Sequence, residues 1–139
     1  MDAFARASIG TVLFIDLDGF KAVNDRGGHA AGDHALTAVA RILRHSVRAQ
    51  DATARFGGDE FVVVLADCDD AAITNGVLAR ITSAIGSLLP LGAESEVRIG
   101  VSIGCAHISD YESFSAALER ADAGAYRMKQ LHHAGSPTN

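Results

Sequence analysis

The apolar run Thr11-Val-Leu-Phe-Ile15, extended by Leu17, predicts a strand over residues 11–17. It is apolar at nearly every position, as expected of a central strand covered on both faces. Turn-forming residues dominate 18–28 and end in Gly27-Gly28. From His29 to Val47 the apolar residues Leu36, Val39, Ala40, Leu43 and Val47 fall on one helical stripe. Two short arms, 52–56 and 60–66, flank Gly57-Gly58 and predict a hairpin. A Gly-Gly pair permits the positive φ angles of a tight turn. A second helix is expected from Asp69 or Asp70 to about Leu88, with Asn75-Gly76 a point of interruption.

After the break at Pro90-Leu-Gly92, Val97, Ile99, Val101, Ile103 and Cys105 alternate with Arg98, Gly100, Ser102 and Gly104. This is strand periodicity. The last helix places Phe114, Leu118, Ala121, Ala125 and Met128 on its buried stripe, with Lys129 off it. Gly124 within that helix costs about 1 kcal/mol relative to alanine. A frayed tail is expected over 135–139. The order strand, helix, hairpin, helix, strand, helix predicts an α+β fold. Its sheet is antiparallel or mixed, with helices mainly on one face.

Composition narrows the partners. The 139 residues suit one domain with a real core. At 48% hydrophobic and 21% charged residues, the chain has a soluble globular composition. A net charge of -5 argues against a nucleic-acid backbone or an anionic membrane as main partner, because both call for a basic face. Cys68 and Cys105 are too few and too isolated for a disulfide framework or a zinc site, which points to a reduced, cytoplasmic setting. No apolar stretch reaches the roughly 20 residues of a membrane helix, and no basic-then-apolar leader is visible.

Candidate chemistry lies in the acids. Asp16 and Asp18 follow the first apolar run, and Asp59-Glu60 follow the glycine pair. Converging at strand ends, such carboxylates form a hard-oxygen site for Mg²⁺, which favours one or two carboxylates plus substrate phosphates. Taken alone, Asp16 and Asp18 read more readily as residues that end a strand and cap the next turn, and it is Asp59-Glu60 behind the glycine pair that turns the reading toward metal.

These segments together carry a family resemblance. Asp16-Leu-Asp-Gly-Phe-Lys21, Asn24-Asp25, Gly28-His29, Gly32-Asp33 and Arg55-Phe-Gly-Gly-Asp-Glu-Phe61 resemble the GGDEF domain of diguanylate cyclases. So do Val101-Ser-Ile-Gly104 and Ala121-Asp122 with Tyr126 and Lys129. The likeness spans about residues 10 to 130 in order. It implies a single GGDEF domain, core about 10–131, with a palm-like nucleotidyl cyclase sheet flanked by helices. Two GTP-loaded copies would form a homodimer and yield cyclic di-GMP and two pyrophosphates, with Mg²⁺ or Mn²⁺ as cofactor and sensor or other signalling domains as neighbours in a full-length protein.

By resemblance, Asp16, the Leu17 carbonyl and Asp59 hold the metals, Asp59 serves as base, and Glu60 supports the same site. Asn24 and Asp33 match positions that read guanine, Phe20 and Lys21 a phosphate-binding turn, and Lys129 a phosphate-binding lysine. His29 lies near the same ligand. Arg48 and Asp51 match a product-inhibition pair, with Arg80 a second arginine. Local chemistry allows plainer roles as well: Asn24 as a turn residue, Asp33 as a first-turn helix acid, Lys129 as a surface cation near a helix end.

Two departures stand out. Nothing here corresponds to the Leu-Thr-Gly-Leu-x-Asn-Arg motif that opens the family. His132-His133-Ala-Gly135 stands where the family continues Gly-Arg-Asn, so a phosphate-gripping arginine is missing. The alternative expectation is therefore a weak or inactive module that binds GTP or cyclic di-GMP as a sensor. A cyclase acting on a different purine is a further rival.

Overall fold

The computed structural model describes residues 10–88, 99–109 and 113–135. Four strands, β1 (Gly10–Asp18), β2 (Ala52–Arg55), β3 (Glu60–Ala66) and β4 (Gly100–Ile108), form one antiparallel sheet in the order β2-β3-β1-β4. Three helices complete the described fold: α1 (Phe20–Ser46), α2 (Ala71–Gly86) and α3 (Phe114–Gly135).

Side chains alternate across a strand, so β1 sorts its apolar run into two cores. Leu13, Ile15 and Leu17 face α1 and α2 with Phe61, Val63 and Leu65. Val12 and Phe14 face α3 with Val62, Ala106 and Ile108. Two helices thus cover one face and the third closes the other. The unbroken apolarity of β1 is explained by this burial on both sides.

α1 begins earlier than the pattern of glycines and polar residues suggests. Gly19 takes a left-handed conformation (φ 82°), and the chain is helical from Phe20, where a turn-rich segment was expected. Val23 supplies the reason: it is fully buried and anchors this first segment to the core. Gly28 (φ 79°, ψ 179°) then breaks the helix, and the second segment runs to Ser46 along Leu36, Val39 and Leu43. In α2 the Asp70 carboxylate caps the N-terminus, accepting from the Ala72 and Ile73 amides at 2.8 and 3.4 Å. The helix passes through Asn75-Gly76 without interruption.

The strand expected from Val97 to Cys105 is displaced toward the C-terminus. Ile99 and Val101 do face the α1/α2 core, but Ala106 and Ile108 extend the strand on its other face. Val97 and Arg98, the break at Pro90 and the end of the tail lie outside the described residues.

The buried stripe of α3 keeps Ala121 and Ala125 as expected and adds Ala117, whereas Phe114 and Met128 at its two ends are exposed. Small residues let the helix lie close on β4. A Cβ on Gly104 would overlap the Ala121 carbonyl oxygen and the Ala125 nitrogen, and one on Gly124 would meet the Gly104 Cα at 3.2 Å. Gly124 therefore has a packing reason for its helix cost. The spacing of four continues to Lys129, which points inward at the end of the sheet.

Candidate active site at the acidic end of the sheet

The register of β1 with β3 pairs Asp16 with Glu60, and its register with β4 pairs Asp16 with Ser102. One step beyond, the Leu17 amide donates to the Asp59 carbonyl at 3.1 Å. The two acidic segments are therefore neighbouring rungs of one ladder. Asp16 and Asp18, two residues apart, project from the same face, over which α3 passes.

The hairpin that presents Asp59 and Glu60 closes through the Phe56 and Gly57 amides, which donate to the Glu60 carbonyl at 2.7 and 3.3 Å. Arg55 fastens the turn from inside, with Nε donating to the Gly57 carbonyl (3.0 Å) and Nη2 to the Gly58 carbonyl (2.8 Å). Contrary to expectation, neither Gly57 nor Gly58 adopts a positive φ. The absence of a side chain at Gly57 lets the Glu60 carboxylate lie over the turn, with Oε1 2.7 Å from where a Cβ would stand. Phe56, largely exposed, sets its ring edge against Phe14 at 5.6 Å between centroids.

Lys129 reaches this edge from α3. Its Nζ donates to Asp16 Oδ1 and to the Leu17 carbonyl, both at 2.9 Å, and lies 3.5 Å from Asp18 Oδ1. Burial opposes its charge, but the hydrogen bond and charge of Asp16, with Asp18 and Asp59, outweigh it and raise the ammonium pKa. Glu60 is held above the ordinary carboxylate range, first by desolvation and then by Asp16, Asp122 and Asp59. A cationic group thus already bridges a carboxylate and a carbonyl aimed at one point, with further carboxylates around it. Among the described residues no three acidic or histidine side chains gather closely enough to hold a metal ion by themselves. The oxygens that Lys129 occupies, Asp16 Oδ1 and the Leu17 carbonyl, are nevertheless of the kind that suits Mg²⁺ or Mn²⁺ completed by ligand phosphates.

Beside it, Ser102 Oγ donates to the Asp18 carboxylate (3.0 Å), and His132 Nδ1 lies 2.8 Å from Asp18 Oδ2. A carboxylate only accepts, so the His132 proton sits on Nδ1. Asp18, Gly19, Lys129, His132 and His133 line a cavity of about 190 Å³. Neither Ser102 nor His132 stands out in the sequence. Their signal was positional, Ser102 sharing the face and register of Asp16 and His132 lying three residues beyond Lys129.

The remaining candidates occupy α1 and its end. Phe20, Lys21 and Asn24 lie on its first segment, His29 and Asp33 on the second, with Lys21, His29 and Asp33 exposed. The segments meet at Gly32. Its missing Cβ leaves room for the Asn24 amide, and the Phe20 ring approaches the same point at 3.3 Å. Arg48 and Asp51 form a closed clamp after the helix. Arg48 Nε and Nη2 donate to both Asp51 oxygens (3.0 and 2.8 Å), and Asp51 Oδ1 accepts from the Ala66 amide (2.9 Å). The bond to Asp51 raises the Arg48 pKa. Arg48 and Ala66 in turn hold Asp51 below the ordinary carboxylate range, although desolvation acts against them. Arg80 donates to the Ser46 carbonyl at 3.1 Å, two residues before Arg48.

An antiparallel sheet covered on both faces, with carboxylates gathered at a hairpin edge, defines an α+β domain of nucleotidyl cyclase architecture. The sequence matches the family described as diguanylate cyclase, GGDEF domain, over residues 1–134, and the chain belongs to that family. It is 37% identical over 121 residues to diguanylate cyclase A of Treponema denticola, covering 86% of this chain and 32% of that protein. It is 43% identical over 122 residues to the bifunctional diguanylate cyclase/cyclic di-GMP phosphodiesterase MucR of Pseudomonas aeruginosa, covering 85% and 17%. The chain thus spans a third or less of these relatives.

Among solved structures, the GGDEF domain of YfiN (TpbB) from Pseudomonas aeruginosa superimposes with a TM-score of 0.80 at 36% identity, covering 94% of this chain and 81% of that one. The GGDEF domain of DgcB from Caulobacter crescentus, in complex with c-di-GMP, does so at 0.80 and 30%, covering 93% and 79%. Among the described residues, no helix is long and apolar enough to cross a membrane.

Proposed function

We propose that this chain is a diguanylate cyclase dependent on Mg²⁺ or Mn²⁺, condensing two GTP into cyclic di-GMP and two pyrophosphates between two facing copies. The observation that carries the proposal is the ladder itself: Asp16 opposite Glu60, with the Leu17 amide bonded to the Asp59 carbonyl. Asp16, the Leu17 carbonyl and Asp59 are the groups that would hold the metal. When bound, it neutralises the triphosphate and lowers the pKa of the ribose 3′-hydroxyl.

Asp59 accepts the 3′-hydroxyl proton as that oxygen bonds to the α-phosphorus of the nucleotide on the facing copy. The bond from that phosphorus to its bridging oxygen breaks, and pyrophosphate leaves. A second transfer in the opposite sense closes the ring. Glu60, kept partly desolvated against Gly57, reinforces the negative site. Lys129 turns from Asp16 and Leu17 toward the phosphates, joined by the first turn of α1 at Phe20 and Lys21, with His29 nearby.

Asn24 and Asp33 read the guanine edge, whose O6 acceptor and N1–H and N2–H donors an amide and a carboxylate satisfy together. Arg48 and Asp51, with Arg80 behind them, belong to a product-binding site. A cytoplasmic location agrees with GTP as substrate.

The test is incubation of the purified chain with GTP and Mg²⁺ followed by chromatography. Cyclic di-GMP is the expected product, and Asp59→Ala is expected to abolish it. Wild-type output from that variant would remove Asp59 from the chemistry. One observation favours a second reading, a nucleotide sensor without turnover: the segment from His132 to Gly135 holds no phosphate-gripping arginine, and His132 within it is bonded to Asp18. Micromolar nucleotide binding with no product at high protein concentration would establish it. ATP competing equally with GTP would point instead to a different purine.

A further inference from the structure

His132 stands where two cavities meet. It lines the one of about 190 Å³ beside Lys129 and a larger, apolar one of about 550 Å³, whose other walls include Leu78, Val101, Ile103 and Met128. Its ring is tied to the acidic edge. Nδ1 lies 2.8 Å from Asp18 Oδ2 and 3.0 Å from Ser102 Oγ, and Ser102 Oγ donates to both Asp18 oxygens at 3.0 Å. Ser102 is fully buried. The three groups therefore form a closed triangle with its inner corner fixed in the sheet.

The triangle adjoins the lysine. Lys129 and His132 are three residues apart on one face of α3, and Asp16 and Asp18 are two apart on one face of β1. The helix pair docks on the strand pair, Lys129 Nζ on Asp16 Oδ1 at 2.9 Å and His132 on Asp18. Lys129 Nζ also lies 3.5 Å from Asp18 Oδ1, so Asp18 is shared between the lysine and the His132–Ser102 pair. A half-buried carboxylate short of donors draws any ammonium within reach, because leaving it unsatisfied is costly. With His132 and Ser102 both donating, Asp18 stays satisfied when Lys129 departs. Without His132, Ser102 is its one remaining hydrogen-bond donor among the described residues, and Asp18 competes for the lysine.

We propose that His132 is a positioning residue that satisfies Asp18 and thereby releases Lys129 to a ligand phosphate. The ligand class is a nucleoside triphosphate, whose outer phosphates Lys129 meets. His132 itself acts through the lysine, and the role requires its Nδ1–H donor, not the bulk of the ring between the two cavities. The inference rests on the reading of Lys129 as a phosphate-binding lysine and holds whether or not the chain turns its nucleotide over.

Calorimetric titration in Mg²⁺ with α,β-methylene GTP, which cannot release pyrophosphate, and with GMP tests the assignment. His132→Ala and His132→Leu should each weaken triphosphate binding about fivefold or more, within the range of couplings between neighbouring side chains. GMP, which lacks the outer phosphates, should bind both within about twofold of the parent. His132→Asn, whose side-chain amide reproduces the Nδ1–H donor, should recover most of the loss. In a Lys129→Met background, His132→Ala should change triphosphate affinity by less than about twofold. Equal losses in both backgrounds overturn the assignment, as does recovery by His132→Leu but not by His132→Asn. So does triphosphate binding by His132→Ala at the parent's affinity. Each of these leaves the phosphate role of Lys129 standing. A parent chain that binds no triphosphate at millimolar concentration overturns that role and the inference with it.

Discussion

Lys129 and Glu60 meet at one edge of the sheet, and their ionisation pulls stability in opposite directions. Glu60 is raised above its ordinary value of 4.5, so the folded chain disfavours its charge relative to the unfolded chain. That penalty is absent at low pH and grows as pH rises past the ordinary value. Glu60→Gln is therefore expected to melt a few degrees above the parent at pH 7, the gain vanishing near pH 4 in a calorimetric series. Lys129 is raised above 10.5, so its contribution is complete at neutral pH and lost only as pH climbs beyond that value. Lys129→Met removes two charge-assisted hydrogen bonds and should cost on the order of 1–2 kcal/mol at pH 7, read by urea denaturation. The same variant frees Asp16 Oδ1 and the Leu17 carbonyl. Without nucleotide it should bind Mn²⁺ several-fold more tightly by electron paramagnetic resonance. Unchanged Mn²⁺ affinity would place the metal elsewhere.

Among the elements, the contact of α3 with β4 is the tightest in steric terms and the least legible in the sequence. Alanines and glycines carry little periodic signal, so the stripe of α3 reads through its bulkier Phe114 and Met128. Those residues are exposed, and Ala117, Ala121 and Ala125 lie inward. With the ends of the stripe misplaced, Lys129 looked like an off-stripe surface cation. Gly104→Ala should cost about 2 kcal/mol or more, since backbone atoms of α3 block the new methyl and overpacking is destabilising. Gly76→Ala, in open space on α2, should gain up to about 1 kcal/mol from helix propensity. Thermal melts of the two variants should move in opposite directions. β1, β3 and β4 were readable because their apolar runs are long or alternating, and the short arm β2 because Gly57-Gly58 marks the turn between it and β3. The first segment of α1 was not, because Gly27-Gly28 and its polar residues mask the one anchor, Val23.

For the whole molecule, the proposed reaction would join two nucleotides held on separate chains, so its rate should depend on encounter. Specific activity should rise with protein concentration before levelling, whereas a constant value across a hundredfold dilution would point to a pre-formed assembly or single-chain chemistry. The acidic motifs were legible as sequence, but their convergence depends on pairing that only the folded sheet supplies. That pairing has a consequence for how the protein can fail. Were β3 to slip by a single residue along its neighbour, Glu60 would turn into the apolar layer under α1 and α2, and Phe61 and Val63 would turn toward the small Ala117, Ala121 and Ala125 of α3. A carboxylate buried among apolar side chains and bulky residues forced into a close-packed layer each cost on the order of 1–3 kcal/mol. The oily interior therefore proofreads the spacing of the acids, so a misaligned yet well-folded form is energetically out of reach.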